Sequence, residues 1–224
     1  MITEYNTDFL AITETWLTDN DDVTLGDICP QGYSALHTPR TTGQGGGLAF
    51  ISRSCYRTSI VQDVTYNSFE HMKLKLTIKG EIVNVFVVYR PPPSASNGFT
   101  ISLFKEEFSI FLESNIMTLG KLIISGDLNI HIDDADNSLA CFFIETLQSF
   151  GLTQHVQSAT HNHGHTLDLF ITRNHESVVN VNVYDPLISD HLVMSQLNIE
   201  KHLNAKKNNH LQKVKVCGYN VIFE

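Results

Sequence analysis

Residues 72–89 constrain the fold of this chain more than any other segment, because their pattern predicts a β-hairpin. Between 72 and 78 apolar residues alternate strictly with polar ones, so the apolar set lies on one face of a half-buried strand. Gly80 and Glu81 then predict a tight turn, and residues 82–89 form a second apolar run. The prolines at 91–93 end this second strand, because proline cannot continue a hydrogen-bond ladder.

The rest of the chain carries many short apolar runs and few helical patterns. Helical spacing of apolar residues predicts helices at 100–118 and 138–150, the second of which is closed by Gly151. Many strands with few helices between them indicate two sheets packed face to face. We therefore predict a two-sheet α/β sandwich with flanking helices. Further strands are predicted at 8–13, 48–51, 121–125, 166–172, 178–184 and 192–199.

The length of 224 residues fits one domain, and 42% of the residues are hydrophobic. We assign residues 1–200 to this domain and interpret the Lys/Asn-rich segment 201–224 as a poorly ordered polar tail. No secretory signal and no membrane-spanning run is visible in the sequence, so we expect a soluble protein. The four cysteines are widely scattered, which favours reduced thiols over a disulfide framework or a zinc knuckle.

The formal net charge is −9 with histidine neutral. Most nucleic-acid binders carry a basic face, because the neutralisation of phosphates supplies much of their affinity. The acidic balance therefore argues mildly against a DNA-binding module that works by charge alone. It fits a catalytic domain whose carboxylates bind metal, or a domain that relies on attached segments for affinity.

Four acidic residues lie at the end of, or inside, predicted strands: Glu14, Asp127, Asp168 and Asp190. Each acid taken alone is more often a solvated loop residue than a ligand, but four in the same kind of location favour a shared site. Carboxylates at strand ends can converge on one rim of a sheet. Hard oxygen ligands clustered there suit Mg²⁺, with Mn²⁺ as the alternative ion.

Two short sequence motifs place an amide and an imidazole beside these acids. Asn129 lies two residues after Asp127, just past a buried strand, and His191 directly follows Asp190. Together with four further strings, and in this order, they resemble the endonuclease/exonuclease/phosphatase superfamily, which includes deoxyribonuclease I. The closest resemblance is to the endonuclease domain of vertebrate LINE-type (non-LTR) retrotransposons. The strings are residues 8–17, 45–49, 88–92, 125–129, 166–169 and 189–191.

The resemblance implies a role for each of these residues in the metal-dependent hydrolysis of a DNA phosphodiester bond. Glu14 would be the main Mg²⁺ ligand, and Asp190 would lie close to the metal. Asp127 would orient and deprotonate the attacking water, and Asn129 would help to hold that water or a phosphate oxygen. The expected products are a 5′ phosphate and a free 3′ hydroxyl.

The resemblance also implies three residues that act at the scissile phosphate. His191 would donate to an oxygen whose charge grows in the transition state. Asp168 would hydrogen-bond the other imidazole nitrogen and so fix the tautomer of the ring. Tyr89 would donate its hydroxyl to the same phosphate.

One departure from the family pattern affects both fold and activity. The resemblance implies a first strand that carries an Asn near the metal and is followed by a helix. Only seven residues precede Asp8, so we predict that the chain lacks this strand, its Asn and the helix. Two alternatives to a DNA endonuclease therefore stay open. One is an inactive truncated remnant that serves at most as an interaction module, and the other is a phosphatase of the same superfamily.

The resemblance also suggests the setting in which the chain works. The expected partners are DNA and a reverse transcriptase domain in the parent element, which would extend the free 3′ hydroxyl. We expect a monomer with no membrane association. The DNA substrate implies a nuclear location, although no basic targeting run is present.

Three other patterns receive plainer interpretations. The glycine-rich stretch 43–47 lacks the Lys-Ser/Thr of a phosphate-binding loop and precedes a strand, so it predicts a turn. His161, His163 and His165 alternate and would share one face of a strand, as zinc ligands can, but no Cys or acid completes a tetrahedral set. We interpret them as a loop near the rim of the active site, with metal binding as the minor alternative. Arg40 and Arg90 could contact phosphates, but single arginines are more often solvated, and we interpret them so.

Overall fold

The structure is a computed structural model in which two six-stranded sheets pack with helices beside them. The predicted two-sheet α/β sandwich with flanking helices is therefore confirmed. The structure describes residues 7–40, 45–94, 97–176, 178–184, 191, 193–199 and 213–218.

The described residues form twelve strands and three helices. The strands are β1 Phe9–Thr13, β2 Tyr33–Thr38, β3 Leu48–Arg53, β4 Arg57–Ile60, β5 Glu70–Ile78, β6 Glu81–Tyr89, β7 Lys121–Asp127, β8 Leu152–Gln154, β9 Asp168–Arg173, β10 Val178–Tyr184, β11 Val193–Ile199 and β12 Lys213–Gly218. The helices are α1 Asp22–Ile28, α2 Ile101–Asn115 and α3 Ser138–Ser149.

The sequence predicts eight of these strands and misses four. Three of the missed strands, β2, β4 and β8, lie at sheet edges, where partly exposed side chains obscure the apolar pattern. The fourth is β12. The short helix α1 is also missed, and helix α2 is shorter than the predicted 100–118 because its C-cap is at Ile116.

The predicted polar tail contributes a strand to the first sheet, whose order is β10-β11-β12-β1-β3-β2. Strand β12 runs parallel to β1 and antiparallel to β11, so it lies between these two strands. Residues 213–218 are thus paired on both sides, and the position beside β1 is filled from this segment of the chain. The division at residue 200 stays a prediction.

The second sheet has the order β4-β5-β6-β7-β9-β8, and its two faces bury different clusters. The alternation predicted for β5 places Met72, Leu74 and Leu76 in the core between the two sheets. Strand β6 is central and is buried on both faces. Its Val87 faces the inter-sheet core, whereas Phe86 packs with the aromatic residues of α2 on the opposite face.

Strands β6 and β7 approach each other closely at Gly126, directly before a predicted site residue. Gly126 has φ +144°, and a Cβ placed there would lie 1.9 Å from the carbonyl oxygen of Val88. No other residue fits without backbone movement. The glycine therefore lets β7 run beside β6 up to Asp127, which is in register with Tyr89.

A buried carboxylate fastens α2 to the loop before β5, and it supports a testable prediction. Glu107 Oε2 accepts hydrogen bonds from the Ser68 hydroxyl at 2.6 Å and the Ser68 backbone N–H at 2.8 Å, and Oε1 accepts from the Asn67 side chain at 3.0 Å. Burial acts to raise the pKa of Glu107, but these hydrogen bonds outweigh it and lower the pKa. The ionised form is therefore the one that holds the loop.

We expect Glu107→Gln to lower the free energy of unfolding by about 1–3 kcal/mol, because an amide meets donors that need an acceptor. Urea denaturation at neutral pH measures this loss, with the exposed Glu106→Gln as the matched control. Because folding lowers the pKa of Glu107, its carboxylate contributes fully to the free energy of unfolding above the pKa of the unfolded state. This contribution is lost as the pH falls through the pKa of the folded state. Equal effects of the two substitutions would contradict the role of Glu107.

Candidate active site

Three neighbouring strands place three of the predicted site residues side by side at one rim of the second sheet. Tyr89 at the end of β6 is in register with Asp127 at the end of β7. Asp127 is in turn paired with Asp168, the first residue of the antiparallel strand β9. Asp127 is 3% exposed and Asp168 is fully buried, which is rare for carboxylates unless they have a charged partner.

The side chain that lies against both carboxylates is the imidazole of His191. Its Nδ1 lies 2.9 Å from Asp168 Oδ2, and its Nε2 lies 3.9 Å from Asp127 Oδ2. The imidazole therefore sits between the two carboxylates, with Asp168 holding the ring by a hydrogen bond. Asp190, the other predicted metal-site residue of this segment, lies outside the described residues.

Asn129 is fixed beside Asp127 by the backbone as well as by its side chain. Its backbone N–H donates to Asp127 Oδ1 and its side-chain Nδ2 donates to Asp127 Oδ2, both at 2.9 Å. The same amide group donates to the carbonyl oxygen of Arg90. Asn129 has φ +49°, a left-handed conformation that Asn tolerates better than most residues. The two hydrogen bonds from Asn129 thus fix the orientation of the Asp127 carboxylate. The side-chain oxygen of Asn129 is not used in these contacts.

Glu14 follows β1 and approaches the same rim from the first sheet. It has φ +54°, and Trp16 has φ +55°, so the backbone after β1 is held in a sparsely populated conformation. The glycine-rich turn holds it there: Thr15 N–H donates to the Gly47 carbonyl and Trp16 N–H to the Gly46 carbonyl. The turn interpretation of this stretch fits these contacts. Strained backbone of this kind is concentrated at functional sites.

The electrostatics of the rim favour a cation. Burial, and then repulsion by Asp168, raise the pKa of Asp127 well above its ordinary value, and attraction to His191 offsets this only in part. Burial also raises the pKa of Glu14, although His191 and Arg40 act to lower it. The carboxylates destabilise one another in the absence of a counter-ion, so a bound cation would restore their ionised forms.

A metal ion fits the residues present. Ligand atoms of Asp127, Asp168 and His191 lie within 4.8 Å of one another. Asp168 Oδ1 is buried and has no hydrogen-bond partner among the described residues, which is costly for a carboxylate oxygen unless another group meets it. The carboxylates of Asp127 and Asp168 offer the hard oxygen donors that a divalent cation such as Mg²⁺ prefers. Glu14 adds a third carboxylate whose charge interacts with that of Asp127.

Two arginines differ from the sequence interpretation as solvated residues. Arg90 is 2% exposed and its Nη1 donates to the carbonyl oxygens of Leu128 and Asn129, so it braces the turn that carries Asn129. Arg40 forms an ion pair with Glu70 and lies 5.7 Å above the centroid of the Tyr89 ring. The sequence gives no local signal for the Arg40–Glu70 pair, because its members are separated by thirty residues.

The chain belongs to the endonuclease/exonuclease/phosphatase family, which matches residues 1–191. Membership of this family supports a hydrolase. Family members typically use divalent metal ions, in agreement with the grouping of acidic and histidine side chains at the rim. No curated protein sequence matches the chain.

Three solved structures illustrate the range of proteins that share this fold. An AP endonuclease from Leishmania major is 15% identical with TM-score 0.65, over 85% of this chain and 78% of that chain. The endonuclease domain of TRAS1, a telomere-specific non-LTR retrotransposon, is 14% identical with TM-score 0.63, over 90% of each chain. A mannosyl-6-phosphatase from Bacteroides thetaiotaomicron is 14% identical with TM-score 0.57, over 89% of this chain and 80% of that chain.

Because these structures include nucleases and a phosphatase, they establish the fold and leave the LINE-type resemblance a prediction. No helix among the described residues is long and apolar enough to cross a membrane.

Proposed function

We propose that the chain is a Mg²⁺-dependent endonuclease that hydrolyses DNA phosphodiester bonds, and that it nicks target DNA for retrotransposition. The observation that carries the proposal is the placement of His191 between the buried carboxylates of Asp168 and Asp127. A bound Mg²⁺, with Mn²⁺ as a substitute, neutralises phosphate charge and stabilises the leaving 3′ oxygen. Glu14 and Asp190 are the residues proposed to hold it.

Asp127 supplies the base in this mechanism. Its two oxygens are aimed by the backbone and side-chain donors of Asn129, so one carboxylate oxygen faces the water that attacks phosphorus. The water gives its proton to Asp127 as its oxygen bonds to phosphorus, and the bond to the 3′ oxygen breaks. The side-chain oxygen of Asn129 orients the water. The products are a 5′ phosphate and a 3′ hydroxyl.

His191 stabilises the charge that develops on the phosphate. The contact from Asp168 to Nδ1 fixes the ring and favours its protonated form, which leaves the Nε2–H to donate to a phosphate oxygen. Tyr89, at the adjacent strand end, donates its hydroxyl to the same phosphate. The guanidinium of Arg40, which is ion-paired with Glu70, lies over the Tyr89 ring.

The retrotransposon setting rests on the sequence resemblance, and the likeness in fold to the TRAS1 domain agrees with it. In that setting a reverse transcriptase domain of the parent element extends the 3′ hydroxyl, and the DNA substrate places the protein in the nucleus. With a net charge of −9, the domain depends on contacts at the site, or on attached segments, for affinity. The protein acts as a monomer.

We expect purified protein to nick supercoiled plasmid in Mg²⁺ and not in EDTA. His191→Gln should reduce the rate by about 10²–10³-fold, because the imidazolium donor to the phosphate is lost. The matched control is His175→Gln. His175 is exposed and follows the end of β9, whereas Asp168 is the first residue of that strand.

Each outcome of this experiment separates the proposed nuclease from its alternatives. Equal rates for His191→Gln and the control would contradict the proposed role of His191. A folded protein that fails to nick but releases phosphate from a small phosphomonoester is a phosphatase of the same family. A folded protein that does neither is an inactive remnant.

A further inference from the structure

A second group of potential metal ligands lies outside the proposed hydrolytic centre. It consists of His131, Asp133 and His165, whose ligand atoms all lie within 4.8 Å of one another. The rings of His131 and His165 are 4.0 Å apart between centroids, with an interplanar angle of 64°. Asp133 Oδ2 lies 3.1 Å from His165 Nδ1. All three side chains are partly exposed, so an ion from solvent can reach them.

The carboxylate of this group is held in a fixed orientation. Asp133 Oδ1 accepts a hydrogen bond from the backbone N–H of Thr166 at 2.8 Å, which leaves Oδ2 directed at His165. The loop that carries His131 and Asp133 is closed by a hydrogen bond from Asp134 N–H to the His131 carbonyl. Two segments of the chain, 131–133 and 160–166, therefore meet at the three ligands.

The structure divides the three alternating histidines differently from the sequence analysis. Among the described residues, His165 finds the acid that the sequence lacks nearby, because Asp133 is brought to it from thirty-two positions away. His161 instead forms a β-bridge with His191 and lies 5.0 Å from its ring. The loop thus touches the candidate metal group at one end and the proposed catalytic histidine at the other.

We propose that His131, Asp133 and His165 bind a transition-metal ion of the Zn²⁺ type, separately from the hydrolytic Mg²⁺ site. Two imidazoles and one carboxylate are a donor set that Zn²⁺ accepts, with water in the fourth position. Mg²⁺ prefers an all-oxygen set and competes poorly for it. The ion ties the 131–133 segment to the loop that positions His161 against His191.

The test is titration of the full chain with Zn²⁺ in a calorimeter, in buffer that contains millimolar Mg²⁺. The parent should bind Zn²⁺, and His165→Gln and Asp133→Asn should each raise the Kd by at least about 100-fold. Asp133→Asn is the sharper variant, because the Asn side-chain oxygen still accepts from Thr166 N–H while the charged ligand is lost. The control His175→Gln should bind as the parent does.

Zn²⁺ could also bind at the hydrolytic centre through His191, Asp127 and Asp168. The titrations are therefore repeated with the His191→Gln variant, which removes one ligand of that centre. Zinc binding that survives His191→Gln and is lost when Asp133→Asn is added in that background supports the proposed site. Zinc binding that is lost in His191→Gln, or that survives the addition of Asp133→Asn or His165→Gln to it, overturns the proposal. Thermal melts with and without Zn²⁺ in the same His191→Gln background give an independent readout: only proteins with an intact group should melt at a higher temperature in zinc.

Discussion

The Asp127→Asn variant is expected to lose plasmid nicking by about 10³-fold or more, while its metal-free form melts at or above the temperature of the parent. The loss of activity follows because an amide cannot take the proton of the attacking water. The retained stability follows because the substitution removes a buried charge that Asp168 repels. A stability cost at the proposed base would be an instance of the trade-off between stability and activity at active sites.

The difference in stability between parent and variant should depend on pH and on metal. Because the folded pKa of Asp127 is raised, ionisation destabilises the folded state as pH rises from the unfolded pKa towards the folded pKa. In EDTA, the free energy of unfolding of the variant should therefore rise relative to that of the parent over this pH range. Mg²⁺ should raise the melting temperature of the parent and have less effect on the variant, since ligand binding to the folded state stabilises it.

Thermal melts in EDTA and in Mg²⁺, together with nicking assays, measure both parts of this expectation. Asp136→Asn, an exposed acid in the loop that follows, is the matched control and should match the parent in both assays. A strongly destabilised Asp127→Asn protein would show that the carboxylate has a structural role instead. Unchanged nicking would remove Asp127 from the mechanism.

The parts of the fold that the sequence predicts are those governed by local periodicity. The alternation at 72–78 and the apolar runs of β6 and β7 determine which faces are buried, whatever lies beside them. The position of Asp127 and Asn129 at a rim is predictable for a related reason, because residues just past a buried strand have to lie at a rim of the sheet. The rim position of Asp168 is not predicted by periodicity: the sequence predicts a strand at 166–172 with Asp168 inside it, whereas Asp168 is the first residue of β9.

The parts that the sequence does not predict depend on contacts between distant segments. Nothing in the local pattern around Arg40 indicates that it pairs with Glu70 beside Tyr89. Likewise, no pattern around Asp133 indicates that His165 lies 3.1 Å away. These pairs arise from the order of strands within sheets and from loop paths, which periodicity leaves undetermined.

Strand β12 is the clearest example, because composition alone places it in a polar tail. Its neighbours β1 and β11 carry two groups of the proposed site: Glu14 directly follows β1, and His191 lies two residues before β11. In the register, Cys217 is opposite Ile12 on one side and Val193 on the other. Strand β12 therefore sets the spacing between the segments that present Glu14 and His191.

We expect Val216→Pro to destabilise the protein by about 1–3 kcal/mol or more and to abolish nicking, because a ladder hydrogen bond is lost and its buried acceptor is left without a partner. Val216 is paired with Ala11 in β1 and with Met194 in β11, so its backbone lies between two strands. Proline has no N–H to donate and is found within sheets at edges or bulges. Against a typical total stability of about 5–15 kcal/mol, this loss is large enough to open the sheet at its centre.

The matched control is Val216→Ala, which trims the same side chain but keeps the backbone N–H. Urea denaturation of the two variants isolates the contribution of the hydrogen-bond ladder, and the m-value reports any loss of compactness. If Val216→Pro unfolds at the same urea concentration as Val216→Ala and nicks equally well, then β12 does not hold β1 and β11 together. If it unfolds earlier and loses nicking, residues that look like a tail in the sequence are required to assemble the site.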